Sequence, residues 1–147
     1  MAAYPIWWDS TITLYNRYED SVTGVITWHR TVLSNCFYKE TGQKIKIGQV
    51  ELESDNVTCR IPENNKFKQA YEWMKLPNDE MSSYFTLNTG DIVVKGEVDD
   101  EINDYLSGHR SSDFLNKYKY RGIFRIENVG INTGTGRGLP HYYISGV

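Results

Sequence analysis

Three histidines, two cysteines and four prolines are all that this chain of 147 residues carries of those types. Each shortage excludes something. Cys36 and Cys59 stand far apart with no CxxC spacing, which argues against a zinc site and leaves two reduced core thiols, bridgeable only if their strands are neighbours. No histidine lies beside a nucleophile or an acid–base motif, and a lone His29 in a strand reads as structural. No apolar run approaches the roughly 18 residues of a membrane span. The start, Met1 to Ser10, lacks the basic head and apolar centre of a signal peptide, so the chain is expected to stay in a cytosol and Asn56-Val57-Thr58 to be a fortuitous sequon. Basic charge is also short. Sixteen Lys and Arg face nineteen Asp and Glu, a net charge of -3, where tight capture of nucleic acid needs a basic footprint.

What the chain has in quantity is tyrosine, eleven copies, within 14% aromatic residues. Tyrosine joins an apolar body to a polar tip, so this surplus points to surfaces that touch something. The length fits one domain, taken as 1–147 with 1–9 as an aromatic arm. In the arm Pro5 favours extended backbone, which sends Trp7 and Trp8 to opposite faces. One reading packs the arm on its own core, the other docks it on a neighbouring subunit.

Alternation predicts strands. Ser10–Tyr18 and Val25–Asn35 form a hairpin around the polar loop Glu19–Gly24. Cys36–Ile47 reads as two strands about a turn at Gly42, and Val50–Glu53 and Val57–Ile61 as two more about Ser54-Asp55-Asn56. Lys39, Lys44 and Lys46 suit a solvated sheet edge. Phe85–Leu87, a turn at Asn88–Asp91 and Ile92–Val94 make the central hairpin. The run Ile92-Val93-Val94 is apolar on both faces and predicts a strand covered on both sides, with Gly96 at a bulge or a close approach. Gly122–Val129, with Phe124, Ile126 and Asn128 on one face, and His141–Gly146 close the series. Phe67, Ala70, Tyr71 and Met74 fall at helical spacing and predict a short helix over about Lys66–Lys75, followed by a loop from Pro77 to Ser83. A further turn or two of helix, capped from Ser111–Asp113, extends to Tyr118. The fold class is therefore mainly β, a small barrel or sandwich of about eight strands with a short helical insert and long loops.

Two stretches invite chemistry and decline it. Asp99, Asp100, Glu101 and Asp104 match no EF-hand spacing and read as a solvated acidic turn. Gly130–Gly138 holds four glycines and Arg137, but a strand follows it, where a phosphate-binding loop needs a helix. No cofactor and no metal is implied.

The order of parts is nevertheless distinctive. Asp20, Gly24 and Trp28 mark the first hairpin, Arg60-Ile61-Pro62 ends a strand, and Gly90–Gly96 (GDIVVKG) forms the central one. Phe124-Arg125-Ile126 then answers Leu139-Pro140-His141-Tyr142 and Gly146. This layout resembles small virion proteins of tailed phages, of the head–tail adaptor or head-closure (stopper) type. It departs from them in the Phe67–Lys75 insert and the Asp99–Tyr120 connection. The resemblance implies a non-enzymatic barrel subunit, made in the host cytoplasm and resident at the head–tail junction. It implies a homo-oligomeric ring, in all expectation hexameric, between a portal-side adaptor and tail proteins. Duplex DNA would pass through without sequence-specific binding, and no membrane is involved. Docking and gating fall to the arm (Tyr4, Trp7, Trp8), the long connection (Asp99, Asp100, Arg110) and the glycine-rich loop (Thr133, Thr135, Arg137). Two rivals remain, an oligonucleotide- or carbohydrate-binding barrel with stacking aromatics and an enzyme with a site built by geometry alone.

Overall fold

The computed structural model describes residues 4–47, 50–133 and 139–147, with the backbone alone between 41 and 55. Six strands form it: β1 (Ser10–Glu19), β2 (Ile26–Ile47), β3 (Val50–Pro62), β4 (Ile92–Lys95), β5 (Ile123–Asn132) and β6 (His141–Gly146). They close into a barrel in the order β1-β2-β3-β6-β5-β4, and every neighbouring pair is antiparallel. Three short helices interrupt them, α1 (Ala70–Trp73), α2 (Asn78–Met81) and α3 (Ser111–Lys117).

The expected strand count of about eight is corrected to six. Gly42 and Asp55 are not turns. They face each other inside one continuous β2–β3 ladder that runs from Phe37↔Arg60 to Ile47↔Val50. Phe85–Leu87 is no strand either. Phe85 makes an isolated parallel bridge to Phe67, and Asn16 holds the Thr86 backbone, its side chain donating to the Thr86 carbonyl (2.6 Å) and accepting from the Thr86 N–H (3.2 Å).

Alternation along the strands divides the core in two. Ile12, Leu14, Leu33, Val57, Ile61, Val93, Phe124, Ile126, Tyr142 and Ile144 come from all six strands and fill the barrel. Ile92 and Val94, one residue either side of Val93, point outward with Tyr15 and are covered by Val98, Ile102 and Phe114. The double cover read from the sequence is therefore real, and the outer layer is the 97–118 connection with α3. Cys36 and Cys59 lie in contact within the inner core, both free. The neighbouring Cys36 thiol, and then burial, push the Cys59 thiol well above the usual range.

Along β5 the phase of alternation changes. A bulge between Ile126 and Asn128 sets Glu127 aside, and Val129 rather than Asn128 joins Phe124 and Ile126 against the core. At Gly96 the approach is by a side chain: φ is +90°, and a Cβ there would lie 2.5 Å from the Arg121 guanidinium.

The insert between β3 and β4 caps one barrel end. Trp73 is fully buried, sits edge-on to Tyr18 (6.1 Å) and His29 (5.3 Å), and donates its indole N–H to the Met81 carbonyl (3.2 Å). Tyr18 and His29 lie on the same side of their strands as inward-facing Leu14. The predicted stripe is corrected with it. Phe67 belongs to the bridge, Tyr71 and Met74 are exposed, α1 is a single turn, and α2 stands where a loop was expected.

Candidate functional site

The arm is bent, not extended. Pro5 starts a tight turn closed by the Trp8 N–H on the Pro5 carbonyl (3.0 Å). Tyr4 stacks on Trp8 with centroids 5.3 Å apart, and Trp8 rests on Phe37 and edge-on to His141 (5.9 Å). The Tyr4 hydroxyl donates to the Pro140 carbonyl and accepts from the Glu63 N–H (3.2 Å). The His141 ring bonds the Leu139 carbonyl through Nδ1 (2.7 Å), which places the proton on that nitrogen. The two tryptophans do part, though by turn geometry: Trp8 is 9% exposed and Trp7 66%. Ile6, at 93%, stands beside Trp7 at the tip. The base of the arm is thus locked onto β2, β3 and β6, and its tip holds two large apolar side chains in solvent.

The long connection is fastened to the barrel at Val98, Asp100 and Asp104. The Val98 N–H donates to the Thr13 hydroxyl (3.1 Å), which itself donates to the Gly96 carbonyl (2.7 Å). Arg30 Nε donates to the Val98 carbonyl (2.6 Å), and the Tyr15 hydroxyl to the Asp100 carbonyl (2.6 Å). The Asp100 carboxylate receives Lys117 Nζ and the Tyr118 hydroxyl, both at 2.6 Å, and these two bonds hold it below the usual carboxylate range. Asp104 accepts the Trp28 indole N–H (2.8 Å) and the Ser111 N–H at the start of α3 (2.9 Å). Asp100 and Asp104 therefore serve the fold. Asp99 is exposed beside Arg30 (3.4 Å), and Arg110 is exposed at the start of α3, its N–H on the Asp113 carboxylate (3.2 Å).

The predicted site residues thus fall into separate groups. Tyr4 and Trp8 meet each other at the root of the β5–β6 connection, through Pro140. Asp99, Asp100 and Arg110 belong to the connection laid over the outer side of β1 and β2. Thr133 is exposed just beyond β5, and Thr135 and Arg137 lie outside the described residues. A further apolar group escaped the sequence reading. Tyr105 is 62% exposed yet anchored by the Ile26 N–H (2.9 Å), with Leu106 beside it, and Val22 and Val25 are exposed on the adjoining hairpin. Its signal was present, two large apolar residues inside the polar stretch Asp104–Gly108.

A family model described as a family of unknown function (DUF6751) matches residues 7–147. The chain belongs to this family. No curated protein and no solved structure matches it. The DUF6751 match opens at Trp7, so Trp7 of the arm tip and the long connection fall within it, while Tyr4 and Ile6 precede it.

Chemistry is sparse on this DUF6751 barrel. Among the described residues no group of three or more His, Cys, Asp or Glu is placed to hold a metal ion. None of their helices is long and apolar enough to cross a membrane. Among the described residues Asp91 is the carboxylate most displaced by its surroundings. Burial pushes it up to about 7, against the pull of the Arg17 N–H (3.0 Å), the Asn16 side chain (2.8 Å) and the Asn88 N–H (3.0 Å). It ties the 88–91 turn to β1.

A pH dependence follows. An unfolded Asp loses its proton near 4, the folded one near 7, so the stability from this group is full below about pH 4 and lost as pH rises to about 7. His29 acts oppositely. Burial lowers its pKa, so its stability is present above about 6.5 and lost as pH falls. Comparing Asp91→Asn with the parent removes the His29 contribution. The variant's stability relative to the parent should rise by roughly 3 kcal/mol between pH 4.5 and 7.5 in denaturant titrations. Parallel pH curves for the two proteins would refute the assignment.

Proposed function

We propose that this DUF6751 chain is a structural protein of a tailed-phage virion, a ring-forming component at the head–tail junction. It joins a portal-side ring to the tail and helps retain packaged DNA. The observation that carries the reading is the arm. Its base is fixed on the barrel by the contacts of Trp8 with Phe37 and His141 and by the two hydrogen bonds of Tyr4, while Ile6 and Trp7 are held outward, 93% and 66% exposed. Large aromatics are enriched at interfaces, and a rigid base lowers the ordering cost of using them. The net charge of -3 supports a ring that lets duplex DNA pass, because it offers no surplus of lysine to hold phosphates. The rival reading, an oligonucleotide- or carbohydrate-binding module, wants aromatics that converge. Here exposed Trp7, Tyr105 and Tyr120 stand on separate segments.

The two tryptophans separate assembly from folding. Trp8→Ala empties a core position and should cost about 3 kcal/mol of stability. Trp7→Ala should leave stability within about 0.5 kcal/mol of the parent. It should reduce ring formation, or incorporation into particles, by about tenfold or more. Light scattering with the portal-side partner, beside a thermal melt, reads both effects. Unchanged assembly by Trp7→Ala would sink the arm's role.

A further inference from the structure

β2 changes partner near Asn35, a non-glycine residue in the left-handed region (φ 59°). Before it, β2 pairs with β1 from Glu19↔Ile26 to Ile12↔Leu33, and after a register shift Ser10↔Cys36 adds one more pair. After it, β2 pairs with β3, beginning at Phe37↔Arg60. Along the first part, no described strand lies on the second edge of β2.

The hydrogen-bond phase says which groups that edge presents. The Asp20 N–H donates to the Val25 carbonyl, so Val25, Thr27, His29 and Thr31 turn their backbone groups to β1. Ile26, Trp28, Arg30 and Val32 turn theirs away. The Ile26 N–H is taken by the Tyr105 hydroxyl. Among the described residues no hydrogen bond engages the backbone groups of Trp28, Arg30 or Val32.

This edge is not open surface, because a second wall faces it. A cavity of about 630 Å³ separates Arg30–Val32 from Asn65, Lys66 and Ser82–Tyr84. Val32 also borders the next cavity, about 270 Å³, between Leu33–Asn35 and Ile61–Asn64 with Tyr4 at its side. The two make a slot that follows β2, with a ladder of free donors and acceptors on one wall. The Arg30 guanidinium is turned to Val98 and Asp99, so the charge of the slot is set opposite. There Lys66 lines the larger cavity, whose described lining holds no carboxylate, and Lys68 Nζ stands 4.6 Å from the centre of the Tyr84 ring. Glu63 borders only the smaller cavity.

We infer that this slot is a docking site for an extended segment of a partner protein. The segment adds as a strand along the free edge from Trp28 to Val32, entering the slot at Arg30, and sets an acidic side chain against Lys66 and Lys68. A strand backbone supplies both the acceptors for the free N–H groups and the donors for the free carbonyls, at matching spacing. A DNA backbone supplies acceptors alone. Neither Ile6 nor Trp7 of the arm tip lines the slot, and the inference does not depend on the function proposed above.

Amide hydrogen exchange read by NMR tests it, with a capped synthetic peptide, Thr-Val-Glu-Val-Glu-Val-Thr, as probe. In the free protein the Trp28, Arg30 and Val32 amides should exchange at least about tenfold faster than those of Thr27, His29 and Thr31. The peptide should slow those three amides by about tenfold or more, and a copy N-methylated at alternate residues should not. A version with Lys for Glu should bind about tenfold more weakly, and Lys66→Glu with Lys68→Glu, the first exposed and the second half-buried, should reverse that order. Equal protection of all six amides in the free protein overturns the free edge. No slowing at about millimolar peptide overturns the docking site. Equal binding of the lysine peptide overturns the acidic partner, and slowing by a thymidine decamer instead of the peptide would make the slot a nucleic-acid groove.

Discussion

Gly146→Ala should leave a chain that cannot shut its barrel. A Cβ at this position would stand 1.8 Å from the Arg125 carbonyl oxygen and 2.8 Å from its carbon, both backbone atoms of the partner strand. A side chain could swing aside, but a carbonyl held in the β5–β6 ladder cannot. Gly146 lies opposite Ile126 where the β5 bulge begins, and there the two backbones come closer than any residue with a side chain permits. Overpacking usually costs about 1–3 kcal/mol, and a clash between two main chains should exceed that range. Gly130→Ala is the control in the same hairpin. Its Cβ would meet the Tyr143 side chain at an ordinary 3.6 Å, and it should cost under about 1 kcal/mol. Urea titrations of the two variants decide the matter. Equal stability would mean that β5 and β6 do not approach as described.

Val93→Asp should abolish folding at neutral pH. Val93 is fully buried among the inner residues of all six strands, with Phe124 opposite it and Leu14 across the β1 ladder. A carboxylate there has no donor to answer it, and the cost of several kcal/mol rivals the roughly 5–15 kcal/mol that holds a domain together. The sign of its pH dependence is fixed. Burial raises the folded-state pKa above the unfolded value near 4, so whatever stability survives is present in acid and lost as pH rises. Circular dichroism at pH 7.5 should show an unfolded chain, with partial recovery of β signal toward about pH 4. Val93→Ala, which leaves a cavity and no charge, should stay folded at both. A folded Val93→Asp at pH 7.5 would show that this strand is not the centre of the core.

The sequence reading succeeded where one local pattern had one physical outcome. Ile12 and Leu14 alternating with Thr13 and Tyr15 marked a strand, although the structure buries it on both faces, and Ile92-Val93-Val94 demanded cover on two faces. It failed where a local preference was outvoted by pairing. Gly42 and Asp55 are good turn residues, yet each sits within a ladder long enough to hold it extended. The insert failed for another reason. Single-turn helices bury one or two residues each, Trp73 and Met81 here, and that is too few to make a period. At the candidate site the composition announced contact-making aromatics, but which tryptophan was free depended on Phe37, Glu63, Pro140 and His141 arriving from three other segments. Asp100 was legible only as an acidic residue. Its partners, Tyr15, Lys117 and Tyr118, stand far from it in sequence and give no local sign.

The place of β6 in the ring has a consequence for how the barrel assembles. β6 follows β5 in sequence, yet it is the strand that joins β5 to β3. A folding chain in which β6 has not yet docked therefore carries two unpaired margins, on β3 and on β5, flanking an open apolar trough. Each margin can be taken by β6 of the same chain or by a strand of another copy. Aggregation should begin from that species, and its rate should rise with protein concentration during refolding.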